Sequence, residues 1–302
     1  MDGIINISKS SGDTSFTVVA AVRRLCRERR VGHGGTLDPL ATGVLPVCIG
    51  RATRVTEYLM EHPKTYRAEV EFGLTSDSGD ADGAITGGGD ISSLTEDGVR
   101  SALAGFRGQT QQVPPMFSAL KHNGKPLYEL ARAGITVERA ARTIEIYALD
   151  LVSWTTPVAS IEVTCSRGTY IRSLASDLGQ ALGCGAYLKG LCRLKYGPFD
   201  LDGSVSVGQL KETVRDGDWS GVLHPVDSVL SHLPFLSLPT EVSEFVRHGR
   251  SFTSNALGAA TEGLAGIQGQ ARCRAYTLDG SFLGVLRFNS EKDEWQPDKV
   301  FL

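Results

Sequence analysis

Asp38 is the first residue whose setting points to chemistry. Its carboxylate lies between Leu37 and Pro39 in the glycine-rich segment GHGGTLDPLATG, residues 32–43. Proline restricts the backbone of the residue before it, and glycines let the backbone come close to a ligand. The apolar neighbours favour partial burial of the carboxylate. Such an aspartate could react with a bound ligand, or it could accept hydrogen bonds within its own turn.

Tyr66, Tyr170 and Arg172 are the next candidates, because they combine aromatic rings with a cation at defined places in predicted elements. The segment TYRAEVEFG alternates apolar and polar residues from Thr65, which predicts a strand with Tyr66 on its buried face. Tyr170 and Arg172 fall where an alternating segment gives way to a helical one, and such junctions project side chains into clefts. On pattern alone, a core tyrosine and a structural pair at a helix start remain open alternatives.

The elements that must position these residues follow from hydrophobic periodicity and from capping residues. Thr14 or Ser15 can cap a first helix, and Thr169 can cap the helix that carries Arg172. The predicted elements are helices at 15–30, 51–60, 96–106 and 169–183, and strands at 44–50, 65–73, 160–166 and 186–199.

Basic residues concentrate in the first predicted helix and in an arm at residues 111–134. The arm is predicted to be irregular at first and helical later, with Gly134 as the C-terminal cap of its helix. Both groups could contact phosphates. The helix could equally present a solvated face whose cations complement its C-terminal dipole. The candidate phosphate contacts are Arg23, Arg27, Arg30, Lys121, Lys125 and Arg132.

The composition is that of an ordinary globular protein, since 41% of the 302 residues are hydrophobic and 22% are charged. Disordered, collagen-like and coiled-coil chains are thereby excluded. No apolar run approaches the roughly 20 residues of a membrane-spanning helix, and the start of the sequence lacks the pattern of a signal peptide. These features predict a cytoplasmic protein. The scattered cysteines predict reduced thiols, and the histidine spacing predicts no metal site.

The charge balance restricts any nucleic-acid role to local clusters. Lys and Arg number 31 against 34 for Asp and Glu, giving a net charge of −3, so a generally basic protein is excluded. A polar passage from about Lys211 to Pro239 predicts a domain boundary. Beyond it, Asp279-Gly280 predicts a hairpin turn, and the C-terminal segment is expected to form a small β-barrel or sandwich.

Several blocks of the sequence match one known family in the same order. They are GHGGTLDPLATGVLP with Asp38, KTYR with Tyr66, SDSGDADG with Asp80, VPPMFSALKHNGKPLYELAR, CSRGTYIRSLASDLG with Tyr170 and Arg172, and GAYLKGLCRL with Leu191. Together they resemble the TruB family of tRNA pseudouridine synthases over about residues 3–230. The first block is the most specific, and the whole pattern is similar to that of an ordinary bacterial member.

The resemblance implies an α+β fold with a mixed, largely antiparallel central sheet flanked by helices and a small C-terminal all-β domain of the PUA type. The implied synthase domain covers residues 1–235 with an RNA-gripping insertion near 111–143, and the RNA-binding domain covers 236–302. The implied activity is isomerisation of uridine 55 in the tRNA T-loop to pseudouridine, after the base has flipped out. No cofactor is implied, because the reaction involves no redox change and no group donor. The expected partner is the T-stem-loop of tRNA, bound by a monomer.

By the same resemblance, Asp38 is the catalytic aspartate, Arg172 is its ion-pair partner, and Tyr66 stacks on the target base near its C5. A buried carboxylate needs such a guanidinium, since burial alone raises its pKa. His33 is expected to stack in the RNA loop, and Leu191 to form an apolar wall of the base pocket. The residues expected to bind substrate are His33, Tyr170, Leu191, Lys9, Asp80 and Lys121.

One segment departs from the family pattern. The family usually has Asp-Lys-Pro near the N-terminus, whereas this chain has Ser8-Lys9-Ser10-Ser11-Gly12. Lys9 is retained, but the rigid turn that proline supplies is missing, which affects any packing of this segment beside the tyrosine.

Two other functions stay open at the level of the sequence. The first is a related synthase of the RNA-guided archaeal and eukaryotic branch, which shares the aspartate loop and depends on partner proteins. The segment ATGVLP and the inserted arm favour action on tRNA without such partners. The second is an RNA-binding or RNA-folding module with secondary catalysis, which would not need Asp38, Tyr66 and Arg172 together.

Overall fold

A computed structural model describes residues 1–261 and 272–301, with the side chains of 258–261 excepted. The helices are α1 (Ser15–Cys26), α2 (Thr56–Glu61), α3 (Glu96–Ala104), α4 (Leu127–Arg132), α5 (Ile171–Ala181), α6 (Val207–Thr213) and α7 (Thr240–Arg247), with 3₁₀ helices at Gly50–Val55, Val226–Leu230 and Ser254–Thr261. The strands are β1 (Gly3–Lys9), β2 (Val31–His33), β3 (Thr42–Ile49), β4 (Lys64–Phe72), β5 (Leu74–Ser76), β6 (Ile85–Gly87), β7 (Gly108–Gln112), β8 (Lys121–His122), β9 (Lys125–Pro126), β10 (Arg142–Thr155), β11 (Val158–Cys165), β12 (Ala186–Tyr196), β13 (Phe199–Asp200), β14 (Leu223–His224), β15 (Phe235–Leu238), β16 (Phe252–Thr253), β17 (Arg272–Thr277), β18 (Phe282–Asn289) and β19 (Glu294–Val300).

Ten strands form one mixed sheet in the order β14-β1-β3-β12-β4-β11-β10-β7, with β2 and β13 paired beside this path. The neighbouring strands are antiparallel, except that β12 runs parallel to β3. This arrangement confirms the predicted fold class. The parallel pair requires a long crossover, and that crossover carries β4, β11 and α5.

Hydrophobic alternation explains why these segments form strands. On β11, Ile161, Val163 and Cys165 are buried while the residues between them are partly exposed, as predicted. Helices α1, α3 and α5 cover the sheet, and their apolar stripes join one core. Val22 of α1 and Leu178 of α5 are completely buried in it. The catalytic candidates are therefore held by elements that share one packed interior.

Helix α1 ends at Cys26, earlier than the predicted 15–30. Arg27 adopts a left-handed backbone conformation with φ of 53°, which stops the helix and turns the chain towards β2. Arg23 donates a hydrogen bond to the Val31 carbonyl at 3.2 Å and so closes this turn. The prediction that Arg27 and Arg30 lie on the helix is therefore wrong. Thr14 is the N-cap, within a capping box, as one of the two predicted candidates.

The junction between β11 and α5 differs from the prediction in its cap. The N-cap is Tyr170, and its side chain forms no capping hydrogen bond. Thr169 instead donates its hydroxyl hydrogen to the Ser166 carbonyl at 3.0 Å. The reason is that Gly168, with φ of 81°, turns the chain sharply before the helix begins. Tyr170 and Arg172 do lie at a strand-to-helix junction, as predicted.

The predicted arm combines sheet and surface structure. Gln111 and Gln112 belong to β7, which pairs with β10 at the edge of the large sheet, and residues 113–120 are irregular, as predicted. The remainder consists of the short β8–β9 hairpin and helix α4. Gly134 has φ of 72° just after the helix, as expected for a C-terminal cap.

The C-terminal part contains a five-stranded sheet in the order β15-β17-β18-β19-β16, together with α7. The predicted hairpin joins β17 to β18, and Gly280 in its turn has φ of 84°. Val285 and Phe301 of this part lie in a hydrophobic cluster with Ile4 and Tyr58 of the first part. The two sheets therefore share an interior.

Three further sequence predictions concern membrane helices, metal sites and cysteines. No helix in that part of the chain has both the length and the apolar character to cross a membrane. No group of His, Cys, Asp and Glu side chains there could hold a metal ion. The cysteines are free thiols at Cys26, Cys48, Cys165, Cys184, Cys192 and Cys273.

Gly43 permits the close approach of β3 and β12, the parallel pair that carries the site. Its φ is 97°, and a Cβ there would lie 2.9 Å from the backbone nitrogen of Arg193, nearer still to that residue's carbonyl oxygen. We predict that Gly43→Ala lowers the free energy of unfolding by about 2 to 4 kcal/mol, through the left-handed backbone and the steric overlap.

Urea denaturation of the two alanine variants tests this prediction. Gly32→Ala is the matched control, because a Cβ at Gly32 meets no atom within 4 Å. A loss of stability in Gly43→Ala no larger than in Gly32→Ala would contradict the prediction.

Candidate functional site

Asp38 and Arg172 meet in space although they are far apart in the sequence. Arg172 Nε lies 3.0 Å from Asp38 Oδ2. The Arg172 side chain is 5% exposed and that of Asp38 is 34% exposed, so the carboxylate faces an opening while the guanidinium lies behind it. This geometry matches the ion pair that the resemblance implied.

The loop that carries Asp38 is fixed by hydrogen bonds on both sides of the aspartate. Ser15 Oγ accepts from the Leu37 amide at 2.9 Å and donates to the Leu37 carbonyl at 3.2 Å. The Gly12 amide donates to the Pro39 carbonyl at 2.9 Å. The N-terminus of α1 and the end of β1 therefore hold the loop in position, and the carboxylate is presented by a rigid backbone.

Three further acceptors hold Arg172, two from the acidic loop and one from the arm. Its Nη1 donates to the Ser78 carbonyl at 3.2 Å, and its Nη2 donates to the Phe117 carbonyl at 2.7 Å. Its Nε also lies 3.5 Å from Asp80 Oδ2. The planar guanidinium thus joins the aspartate loop, the acidic loop and the arm, a geometry that an ammonium group could not reproduce.

Asp80 is a buried second carboxylate beside the pair. Its Oδ1 accepts from Ser78 Oγ at 2.6 Å and from the Asp82 amide at 3.2 Å. Since the Ser78 carbonyl also binds Arg172, this short segment aligns both the anion and an acceptor for the guanidinium. Asp80 therefore orients Arg172, and its charge acts on Asp38 across the shared cation.

The environment raises the pKa of Asp38 above its usual value, because the surrounding protein removes hydration from the carboxylate. The nearby charge of Asp80 raises this pKa further. The charge of Arg172, its hydrogen bond and the charge of Lys9 all lower it. Neighbouring charges of opposite sign thus act on the pKa of this acid, as is common for residues that react.

Lys9 is almost fully buried and is held by backbone oxygens. Its Nζ donates to the carbonyls of Asp13 at 2.7 Å, Ser10 at 3.0 Å and Pro39 at 3.2 Å. Burial lowers the pKa of Lys9. The bond to Pro39 ties this lysine to the residue after Asp38, so it supports the loop. Although the family's proline is absent here, Lys9 still closes the turn through its ammonium group.

Tyr66 lies on β4 and is 8% exposed, on the buried face that the alternation predicted. Burial raises the pKa of its phenol, with a smaller contribution from the charge of Asp38. Leu191 lies on the neighbouring strand β12, opposite Ala68 of β4, and is partly exposed at the edge of the main core. Tyr66 and Leu191 therefore offer an aromatic and an apolar surface on adjacent strands.

His33 and Tyr170 lie in different surroundings, since the charge of Arg193 acts on His33 and the charges of Arg172 and Asp38 act on Tyr170. His33 Nδ1 accepts from the Gly35 amide at 3.2 Å, and burial, with the charge of Arg193, lowers the pKa of its imidazole. The backbone of Tyr170 is fixed by Gln112, whose side-chain amide accepts from its N–H at 2.8 Å and donates to its carbonyl at 3.0 Å. Burial raises the pKa of Tyr170, and the charge of Asp38 adds to this effect.

Lys121 lies apart from the other candidates. It is exposed on β8, in the arm, and it makes none of the contacts that join the other predicted residues. The arm does reach the site, but through the backbone of Phe117 and not through a lysine. Within the arm, Gln112 binds the Tyr170 backbone and Phe117 binds Arg172.

The sequence interpretation missed Arg193 and Ser78. Arg193 is 1% exposed on β12 and is the cross-strand partner of Tyr66. A signal was available, since side chains two apart on a strand share a face and Leu191 is therefore on the same face as Arg193. No local pattern marks Ser78, because its role depends on an arginine that arrives from α5.

These contacts define what the site can do. A buried guanidinium stabilises the ionised form of a partly exposed carboxylate, and the charge of that carboxylate acts on the phenol of Tyr66, which lies on the strand next to that of Leu191. Such a carboxylate could attack a carbon atom or accept a proton, and an aromatic side chain such as Tyr66 could hold a planar ring by stacking.

The sequence matches two known family models. The N-terminal domain of the TruB family pseudouridylate synthases matches residues 23–171, and the tRNA pseudouridylate synthase B C-terminal domain matches residues 172–231. Asp38 and Tyr66 fall in the first match, and Arg172 begins the second.

Similar solved structures are the Cbf5 chain of a Cbf5-Nop10-Gar1 complex and that of an archaeal box H/ACA sRNP Nop10-Cbf5 complex. The first has a TM-score of 0.73 at 25% identity and covers 99% of this chain and 85% of that one. The second has a TM-score of 0.72 at 25% identity and covers 99% and 86%.

Curated relatives are more similar in sequence. The tRNA pseudouridine synthase B of Dehalococcoides mccartyi is 44% identical over 302 residues, which is 100% of this chain and 97% of that protein. The tRNA pseudouridine synthase B of Chromohalobacter salexigens is 44% identical over 286 residues, 95% of this chain and 90% of that protein. With such identity along its whole length, the chain belongs to the TruB family of pseudouridylate synthases.

Proposed function

We propose that this chain isomerises uridine to pseudouridine in tRNA, at position 55 of the T-loop. The observation that carries the proposal is the ion pair between the buried Arg172 and the partly exposed Asp38, with 3.0 Å between Oδ2 and Nε. The similarity to proteins named tRNA pseudouridine synthase B supports the choice of tRNA as substrate.

Asp38 is the catalytic residue in this proposal. Its ionised carboxylate acts as a nucleophile or a base towards the nucleoside while the N-glycosidic bond breaks, and the base then rejoins the sugar through C5. Arg172 is the positioning residue that keeps the carboxylate charged in a pocket with little water. No group donor enters the reaction, because the product is an isomer of the substrate.

The remaining predicted residues either bind the RNA around the flipped nucleotide or hold the catalytic pair in place. Tyr66 stacks on the uracil ring, Leu191 forms the apolar wall and His33 stacks in the RNA loop, which offsets the loss of stacking within the RNA. Tyr170 borders the pocket, Asp80 and Lys9 hold the catalytic pair and its loop, and Lys121 contacts phosphate from the arm.

The same proposal assigns the domains, the oligomeric state and the location of the enzyme. Residues 1–235 form the synthase domain, the insertion near 111–143 grips the T-stem-loop, and residues 236–302 form a PUA-like RNA-binding domain. The enzyme acts as a monomer in the cytoplasm and needs no cofactor. Size-exclusion chromatography with light scattering measures the oligomeric state.

A second candidate function is RNA-guided modification. The observation that favours it is the similarity to Cbf5 chains solved in complexes, which extends over 99% of this chain. The identity of 25% to Cbf5 is well below the 44% to tRNA pseudouridine synthase B. Activity of the purified chain on unmodified tRNA, without guide RNA or partner proteins, distinguishes the two functions.

Asp38→Asn is predicted to abolish turnover and to leave tRNA affinity within about threefold of the unsubstituted protein, because the amide is similar in shape but cannot act as an anion. Tritium release from T-loop RNA labelled at uridine C5 measures turnover, and filter binding measures affinity. The matched control is Asp82→Asn, which changes an exposed carboxylate of the acidic loop and should retain activity. Tritium release by Asp38→Asn would remove this residue from the mechanism.

Asp80→Asn is predicted to move the acidic limb of the pH–rate profile to lower pH. The carboxylate of Asp38 must be ionised, so the rate falls as the pH drops through its raised pKa. Asp80 is a like charge that raises this pKa, and its removal therefore lowers it. Single-turnover rates between about pH 4 and 8 test the shift. An unchanged limb, or one displaced to higher pH, contradicts the assigned electrostatics.

Affinity for tRNA is predicted to fall steeply with salt, although the net charge of the protein is −3. The candidate phosphate contacts predict a slope of about −4 for the logarithm of the binding constant against that of the salt concentration. Lys121→Met combined with Lys125→Met should reduce this slope by about 1.5. Lys211→Met, in α6, is the control, and a flat salt profile would refute the proposed contacts.

A further inference from the structure

A cavity at the edge of the large sheet lies outside the site described above. It opens between helix α5 and strands β7 and β10, and its volume is about 310 Å³. This volume is at the lower end of the roughly 300 to 1,000 Å³ that is usual for small-molecule sites. The size of the cavity therefore favours a ligand smaller than a nucleoside.

One side of the cavity is apolar and belongs to the main core. It is lined by Ile144 and Ile146 of β10 and by Leu174 of α5, which are each at most 3% exposed. Val113 also lines the cavity and is 46% exposed. Because covering such a surface removes apolar area from water, this side favours a ligand with a hydrocarbon body.

A single carboxylate faces this apolar side. Of the described residues that line the cavity, only Asp177 of α5 is charged. Its side chain is half-buried, burial raises its pKa, and no ion pair reaches it within residues 1–261 and 272–301. An ionised carboxylate that is removed from water is unfavourable unless a cation or hydrogen-bond donors compensate it. The cavity therefore offers a place for a positive charge beside an apolar surface.

Two amide side chains of the lining can accept further hydrogen bonds from a ligand. Gln111 Nε2 donates to Thr143 Oγ1 at 2.8 Å, which leaves the amide oxygen of Gln111 to accept. Gln180 is exposed and lies three residues after Asp177 on α5, so the two side chains are neighbours on the helix surface. A metal ion fits less well, because no group of three or more His, Cys, Asp or Glu side chains that could hold one occurs in the described part of the chain.

We propose that this cavity binds an aliphatic primary amine, whose ammonium group pairs with Asp177 while its hydrocarbon chain covers the apolar side. This inference goes beyond the proposed function and does not depend on it. An ammonium group has three N–H donors, and the acceptors are the Asp177 carboxylate and the amide oxygens of Gln111 and Gln180. A neutral ligand of the same size would leave the carboxylate without an opposite charge.

The cavity is connected to the catalytic pair through Gln112. The buried Gln112 side chain lines the cavity and also binds both backbone polar groups of Tyr170, two residues before Arg172. Ser173 Oγ donates to the Val113 carbonyl at 2.9 Å and joins the same two segments. A bound amine would contact β7 and α5 together, and would thus hold the start of the arm against the helix that carries Arg172.

A ligand-observed NMR titration of the full chain without RNA tests the proposal. The probe is n-butylamine at neutral pH, n-butanol has the same chain without the charge, and ammonium chloride has the charge without the chain. We expect one n-butylamine per protein with a Kd of about 1 mM, and no saturation by n-butanol or ammonium up to about 20 mM at constant ionic strength. Saturation by guanosine or Mg²⁺ in place of n-butylamine would assign the cavity to another class of ligand and overturn the inference.

Removal of the carboxylate is the first variant. Asp177→Asn should weaken n-butylamine binding at least tenfold, because the ammonium group loses its counter-charge. The melting temperature should not fall, since the substitution removes a half-buried charge that has no partner. Asp202→Asn is the matched control, because Asp202 is exposed and lies outside the cavity, and its Kd should stay within about twofold of that of the unsubstituted protein.

A second variant supplies the ammonium group from the protein itself. Gln180→Lys places a cation one helical turn from Asp177, so it should raise the melting temperature by about 1 to 2 °C and weaken n-butylamine binding at least tenfold. Ser176→Lys adds the same charge to α5 at an exposed position outside the cavity, and it should leave the Kd unchanged. Undiminished binding in Asp177→Asn or Gln180→Lys, or the lack of saturable binding to the unsubstituted protein, overturns the inference.

Discussion

The sharing of one guanidinium between two carboxylates is the interaction on which the site depends. Arg172 lies between Asp38 and Asp80, and a guanidinium removed from water is stable only where acceptors surround it. The carbonyls of Ser78 and Phe117 complete this set. Because these acceptors come from the aspartate loop, the acidic loop and the arm, the cation can occupy this position only after those three segments have come together.

The electrostatics of the interior differ from those of the whole chain. The net charge is −3, yet Lys9, Lys64 and Arg193 are all buried close to the aspartate loop. Backbone carbonyls hold each of these cations, so their charge is not cancelled by a carboxylate. A low-dielectric interior of this kind strengthens attraction to anions that form during a reaction.

The sequence predicted the elements whose pattern is local. Alternation placed Tyr66 on the buried face of β4, as observed. The glycine-rich segment 32–43 is a loop only in its middle, since His33 lies in β2 and Gly43 lies in β3. The end of α1 was wrong, because a left-handed arginine stops the helix without any glycine or proline to mark it. The cap of α5 was also wrong, since the turn at Gly168 directs the hydroxyl of Thr169 elsewhere.

The ion pair of Asp38 and Arg172 was predictable from the sequence, but the residues that support it were not. The aspartate and arginine lie in distinctive blocks whose resemblance to a family names both. Arg193 and Ser78 act through contacts with distant strands and loops, and no property of their own neighbours reveals those contacts. Lys121 illustrates the opposite case, since a basic position in a family block need not reach the pocket. Contacts between residues far apart in the sequence decide which side chains reach the site, and a local sequence pattern carries little information about such contacts.

The shared cluster of Ile4, Tyr58, Val285 and Phe301 gives the last strands a role in the architecture of the catalytic half. Polar contacts between the two parts reinforce this cluster, since Lys299 Nζ lies 2.7 Å from Glu57 Oε1 and the Tyr58 hydroxyl donates to Asp298 Oδ2 at 3.0 Å. A protein truncated within the polar passage 211–239 would expose the side chains of Ile4 in β1 and Tyr58 in α2 to solvent. The two parts should consequently unfold in a single calorimetric transition. Replacement of the C-terminal part by another domain would also require changes in the surface of β1 and α2 that it covers.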